Sequence, residues 1–125
     1  MDPDPRDHVD SYVQQWVAGT NGNLYAPLIN KLPRYPIATW PGPAASRAGS
    51  TFALDIGCGW GRWLVSAGRA GFVPVGIDIK PQALHAARRV LRHHDLNGYV
   101  VAADLRALPF APNVFETVFS YSVLQ

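Results

Sequence analysis

Residues 52–63 read FALDIGCGWGRW, and they decide the fold. The first five form a short apolar run with one acid inside it, which predicts a buried strand. Gly57, Gly59 and Gly61 then recur at alternate positions, and a helical pattern, GRWLVSAGRAG, follows up to Gly71 as its C-terminal cap. Strand, glycine turn and helix in that order place the turn at the carboxyl end of a strand, where ligands bind in open α/β sheets. Glycine lets the backbone approach a ligand closely. The opening turn of a helix adds N–H groups and a positive dipole end suited to a carboxylate or phosphate.

Working outward, FVPVGIDI (72–79) reads as a second strand. Pro74 inside it requires a place where no ladder N–H is needed. Pro81 suits the first turn of the next helix, QALHAARRVLRHH, with Leu84, Ala87 and Leu91 on one face. YVVAAD is a third strand, LRALPFAPN a turn-rich loop and VFETVFSYSVL a fourth strand. Strands alternating with helices predict an α/β fold, a parallel sheet wound by right-handed crossovers.

Upstream of Ser50 the texture differs. Val9, Val13, Trp16 and Val17 predict a helix over 7–18, and a second short helix is expected over 25–32. Residues 33–50 hold four prolines and read as an extended connector. The chain therefore divides into residues 1–50, a helical segment with a Pro-rich connector, and residues 51–125, a ligand-binding domain. There is no internal repeat.

The bulk numbers are those of one ordinary globular domain: 125 residues, 48% hydrophobic, 16% charged. A formal net charge of +2 gives no reason to expect nucleic acid. The single cysteine, Cys58, forms no internal disulfide and fits a reducing, cytoplasmic setting. No apolar run reaches the ~20 residues of a membrane span, and the acidic N-terminus is unlike a secretory signal.

Three acids then define a ligand. Asp55 sits two residues before the first glycine and faces the turn. A carboxylate there repels a pyrophosphate and suits an ammonium or other cation. The dinucleotide spacing G-x-G-x-x-G also fails, because Arg62 stands at its last position. Asp78 ends the second strand, 23 residues after Asp55, where a carboxylate can accept from both hydroxyls of a ribose. Ile79 beside it can lie against a flat base. Asp104 ends the third strand and can accept from an amino group. Together they describe a ligand with a sugar, an amino-bearing base and a cationic amino-acid tail.

With these residues the sequence resembles the class I S-adenosylmethionine-dependent methyltransferases, of the methyltransferase type 11-like kind. LDIGCGWGRW is similar to their first motif, VGIDI to the second, AADLRALPF to the third and FETVFSYSVLQ to the fourth, over about residues 51–125. The resemblance implies a Rossmann-like sheet ordered 3-2-1-4, the N-terminal half of a seven-stranded sheet. S-adenosyl-L-methionine is the implied cofactor. Asp55, Gly57 and Gly59 would face its methionine part, Asp78 the ribose, Ile79 the adenine face, and Asp104 with Leu105 the adenine edge. Cys58 and Gly61, in the same turn, would also contact the cofactor. Ser120, with Tyr121, would lie near the methyl group or acceptor. The acceptor's class and the catalytic residue are left open. A strand apolar on both faces, bare at the chain's end, is expected to belong to a longer protein or to pair with a second copy.

The plainer roles are also explicit. Cys58 reads as a small buried filler, and Trp60 and Trp63 serve equally as stacking or packing residues. RRVLRHH reads as a solvated helix face rather than a nucleic-acid patch. No cluster has metal-ligand spacing. Two rival functions stand beside methyl transfer: a nicotinamide-dependent oxidoreductase and a non-catalytic cofactor-binding or dimerisation module.

Overall fold

A computed structural model describes residues 42–43 and 51–120. The helices expected over 7–18 and 25–32, most of the connector, and Tyr121 with the end of the fourth strand lie outside the described residues.

Strand β1 spans Phe52–Ile56, helix α1 Arg62–Ala70, strand β2 Val73–Asp78, helix α2 Pro81–His93, strand β3 Tyr99–Ala102 and strand β4 Phe115–Ser120. All pairings are parallel and the sheet order is β3-β2-β1-β4. Each boundary has a local cause. Gly71 closes α1 in the left-handed region, its N–H returning to the last-turn carbonyls. Pro81 opens α2, where its missing N–H is no loss.

Pro74 shows how the sheet tolerates a proline. The Val73 N–H donates to Thr51 O (2.8 Å), so odd-numbered β2 residues bond toward β1 and Pro74 faces β3. Pairing with β3 begins only at Val75–Tyr99. The ring nitrogen therefore lies before the ladder starts, and no hydrogen bond is lost.

Register and alternation give the sheet two faces. Ala53, Gly76 and Val100 share the face covered by both helices. There Cys58, Leu64, Leu84, Ala87 and Leu91 form one cluster, and Ala53, Ala67 and Phe72 another. On the opposite face Leu54, Ile56, Val75 and Ile77 form a buried cluster. The loop between β3 and β4 brings Phe110 onto it, edge-on to Phe115 (5.0 Å between centroids, 87°). Each fully buried Leu, Ile or Val contributes about 1.5–3 kcal/mol. The two central strands are thus buried on both faces, and this is why β1 and β2 lack the polar alternation of a half-exposed strand.

β4 stands at one end of the sheet. As its place in the order 3-2-1-4 implies, it forms a sheet edge among the described residues, and its apolar character goes uncovered there, with Glu116 exposed and Val118 58% exposed. The register also shifts after Phe52–Phe115, so that Ala53 pairs with Thr117 and Glu116 is skipped.

Candidate cofactor site

The carboxyl ends of all four strands lie along one edge of the sheet, and the glycine turn fills the space after β1. The turn is fastened from beneath. The Gly57 and Cys58 N–H groups both donate to Ile77 O (2.8 and 2.9 Å), and the Gly61 N–H donates to Cys58 O (3.0 Å). The Gly59 N–H donates to Asp78 Oδ2 (3.0 Å). Four of the turn's amides are therefore engaged within the fold. Gly59 itself has φ 54°, and a Cβ built on it would meet nothing within 4 Å. Glycine is needed there for the left-handed backbone, and the space above it is open.

Cys58 points the other way. Its side chain packs against Gly76, where an added Cβ would lie 2.7 Å from Cys58 Sγ and 2.9 Å from Leu64 Cδ1. Burial, with the Asp55 and Asp78 charges, pushes its thiol far above the ordinary range. A thiol held neutral is no nucleophile, so the side chain is the small filler expected, and only the backbone of Cys58 belongs to the turn. Gly76 was not legible as a site residue. Its signal is the pairing of a glycine in β2 with a cysteine in the turn.

Asp55 is the electrostatic centre of the site. It is 3% exposed, on the strand that lies under the turn. Its Oδ2 atom is buried and accepts no hydrogen bond. Burial pushes its carboxyl up to about 8; the charge of Asp78 adds to the rise, and the Arg62 guanidinium acts against it. An orphaned, buried carboxylate is costly unless a cation or a proton joins it.

Asp78 is half-buried at the end of β2, with Oδ1 accepting from the Lys80 N–H (2.9 Å) and Oδ2 from Gly59. These two bonds orient the carboxylate and tie the first turn to the second strand. They leave further lone pairs on both oxygens, since a carboxylate offers about four acceptor sites. The N-cap of α2 is Lys80. Ile79 is 69% exposed beside it, an apolar surface free for a flat ring.

Asp104 lies two residues beyond the end of β3, at a more exposed place. Its carboxylate is gripped by Arg106: Oδ1 accepts from the Arg106 N–H (2.9 Å) and Nε (3.0 Å), Oδ2 from Nη2 (2.6 Å). This fork holds its pKa down at about 2. Asp104 thus caps its own turn, and Arg106 is a partner the sequence did not single out. Leu105 is exposed next to it.

Ser120 ends β4 in register with Ile56, with a buried Oγ that has no hydrogen-bond partner. Alternation puts Ser120 on the face of Ile56 and Asp55 on the other, so the two orphaned oxygens stand on opposite sides of the sheet at the same end. Trp63 packs on Phe119 of β4 (4.8 Å between centroids), with the Arg62 guanidinium over its ring (5.6 Å). Trp60 is buried. Both tryptophans act as packing residues.

An open parallel sheet with a glycine turn and strand-end acids is the frame of a nucleotide- or nucleoside-binding α/β protein. A family model described as "Methyltransferase domain" matches residues 53–125, and the chain belongs to that family. It is 37% identical over 78 residues to an 18S rRNA (guanine-N(7))-methyltransferase, bud23, of Schizosaccharomyces pombe; the match covers 62% of this chain and 28% of that protein. Among solved structures it is similar to an S-adenosylmethionine-dependent methyltransferase of Mesorhizobium loti (27% identity, TM-score 0.51, 59% of this chain and 33% of the other). The fold also matches a Methanococcus maripaludis protein assigned to the S-adenosyl-L-methionine-dependent methyltransferases (17% identity, TM-score 0.59, 98% and 53%). The chain thus spans about a third or less of the first two relatives and about half of the third. Among the described residues no helix is long and apolar enough to cross a membrane.

Proposed function

We propose that the chain binds S-adenosyl-L-methionine at the ends of β1 and β2 and takes part in methyl transfer to an RNA acceptor. The observation that carries the cofactor is Asp55: a buried carboxylate with an orphaned oxygen, beneath a turn whose surface is open at Gly59. Such a group fits the ammonium of an amino-acid tail and opposes a pyrophosphate, which disfavours the nicotinamide alternative. Asp78, oriented by two backbone N–H groups, would accept from the ribose hydroxyls, and Ile79 would cover the base.

The cofactor supplies an electrophilic methyl group on a sulfonium. The chain's own contribution is placement: Asp55 fixes one end, Asp78 the middle, and the turn keeps side chains out of the space between. Methyl transfer depends on alignment and exclusion of water more than on a covalent protein nucleophile. The inert Cys58 thiol accords with that. Ser120 stands at the end of the next strand, and its buried Oγ would meet an acceptor only once uncovered.

The RNA acceptor is supported by the 37% identity to an rRNA methyltransferase. The low net charge counts against RNA only as a whole-chain average, and it does not bear on where the cations lie. Calorimetric titration with S-adenosylmethionine and, separately, NADH tests the cofactor. Micromolar binding of NADH without S-adenosylmethionine binding overturns the reading. Transfer of a labelled methyl group to ribosomal RNA, in parallel with protein and small-molecule extracts, tests the acceptor. Label in the small-molecule arm alone would replace RNA with a metabolite.

A further inference from the structure

Away from the strand-end site, the C-terminal half of α2 and the start of β3 enclose a cavity of about 440 Å³ lined by Arg88, Leu91, Arg92, Leu96, Tyr99 and Val101, among others. The floor is apolar, the two charged side chains are both guanidinium groups, and no carboxylate lines it. Arg88 and Arg92 are four residues apart on a helix, so both cations stand on one side of the opening. The Arg88 Nη2 donates weakly to Val100 O (3.5 Å), which holds it at the β3 edge. The Arg92 guanidinium forms no hydrogen bond or ion pair among the described residues. Tyr99, 60% exposed at the first position of β3, presents an aromatic ring to solvent at the rim.

Two uncompensated cations beside an exposed ring over an apolar floor match the two recurring demands of single-stranded nucleic acid: neutralised phosphates and a stacking surface. We infer that this cavity docks one nucleotide of a single-stranded RNA, its phosphate on Arg88 and Arg92 and its base on Tyr99. The inference rests on the RNA reading of the acceptor and deepens it by naming where the strand is held. It also revises the reading of RRVLRHH as merely a solvated face. Arg88 and Arg92 would serve the ligand, whereas His94 is buried, its Nδ1 2.9 Å from Val90 O, and belongs to the core.

The test is fluorescence anisotropy of a labelled, short single-stranded oligoadenylate with the full chain over a series of salt concentrations. Arg88→Gln with Arg92→Gln is expected to weaken binding about tenfold or more and to reduce the log–log salt slope by about 0.7, the value for one phosphate contact on a single strand. Tyr99→Leu keeps an apolar strand residue and should weaken binding by roughly 5- to 150-fold, the range for loss of one stacked base, with the slope unchanged. S-adenosylmethionine affinity serves as the folding control and should be unaltered in every variant. Unaltered oligonucleotide affinity and slope in the variants would overturn the inference. So would equal competition by polyglutamate without any effect of Tyr99→Leu, which would instead indicate an acidic protein partner. Methyl transfer to RNA that persists undiminished in the variants removes the cavity but leaves the acceptor reading standing. Absence of both oligonucleotide binding and RNA methylation removes the two together.

Discussion

Asp55 and Asp104 are the same residue type at the same end of the same sheet, yet their carboxyl groups sit six pH units apart, at about 8 and about 2. The first is sealed beneath the glycine turn with one oxygen unpartnered. The second stands in solvent with a guanidinium forked onto both oxygens. The difference teaches which acid is waiting for a partner. Asp104 is already satisfied by its own chain. Asp55 is held in an environment that suits it only as a neutral acid or beside a cation, and nothing among the described residues neutralises it fully. Arg62 acts in the right direction but does not overcome burial.

The largest expected effect comes from Asp55→Asn, because it removes the unsatisfied charge. Between about pH 4 and about pH 8 the folded protein binds more protons at Asp55 than the unfolded chain, so the free protein should lose stability as pH rises through that window, and by no more than about 1.4 kcal/mol per unit. Asp55→Asn should flatten that slope and stabilise the free protein at pH 8, while weakening S-adenosylmethionine binding by about 2–5 kcal/mol. Denaturant titration across pH and calorimetry on the same variant read the two opposite signs. Wild-type affinity should rise with pH by up to about tenfold per unit to an optimum near 8, with a proton released on binding. It falls beyond that because an α-ammonium of pKa ~8 loses its charge. Affinity indifferent to pH would break the contrast at its stronger end.

Asp78→Ala should cost roughly 1–3 kcal/mol of S-adenosylmethionine affinity, the worth of charge-assisted hydrogen bonds to a diol. It also removes the acceptor of the Gly59 N–H and one of the charges that raises Asp55, so the Asp55 carboxyl should titrate lower in the variant. Unchanged affinity would exclude Asp78 from the site. Gly76→Ala tests the support beneath the turn. The new methyl would overlap Cys58 and Leu64, with an expected loss of about 1–3 kcal/mol in unfolding free energy. A thermal midpoint equal to wild type would show that Cys58 can move aside.

Much of this was legible in the sequence because it rests on local rules. The glycine spacing, the apolar runs of β1 and β2, Gly71 after α1 and Pro81 before α2 each act within a few residues, and the structure forms the elements they predict in the order β3-β2-β1-β4. What was hidden depends on pairs brought together by the fold. Gly76 against Cys58, Gly59 N–H to Asp78, and Pro74 placed ahead of the β3 ladder all join residues from different elements. Burial of Asp55 belongs to the same class: an acid in a strand reads as an acid facing a ligand, and only the packed sheet reveals that its pKa has climbed. Arg106 is the exception. A guanidinium two residues after Asp104 is visible in the sequence, but the expectation of a ligand-facing acid concealed its simpler partner.

Arg106→Gln addresses the weaker end of the contrast and should have the smallest effect. Without the guanidinium fork, the Asp104 carboxyl should rise from about 2 toward its ordinary value, measurable by the carboxyl chemical shift on acid titration. A depressed pKa contributes stability only above it, and this contribution is lost as pH falls through about 2. At neutral pH an exposed pair of this kind leaves the thermal midpoint where it was. Its value lies in the cofactor titration. If Asp104 meets the adenine edge only after leaving Arg106, Arg106→Gln frees the acceptor and S-adenosylmethionine binds more tightly. Affinity unmoved by Arg106→Gln and also by Asp104→Asn would mean that Asp104 serves its own turn alone, and that recognition at this sheet edge ends at Asp78 and Ile79.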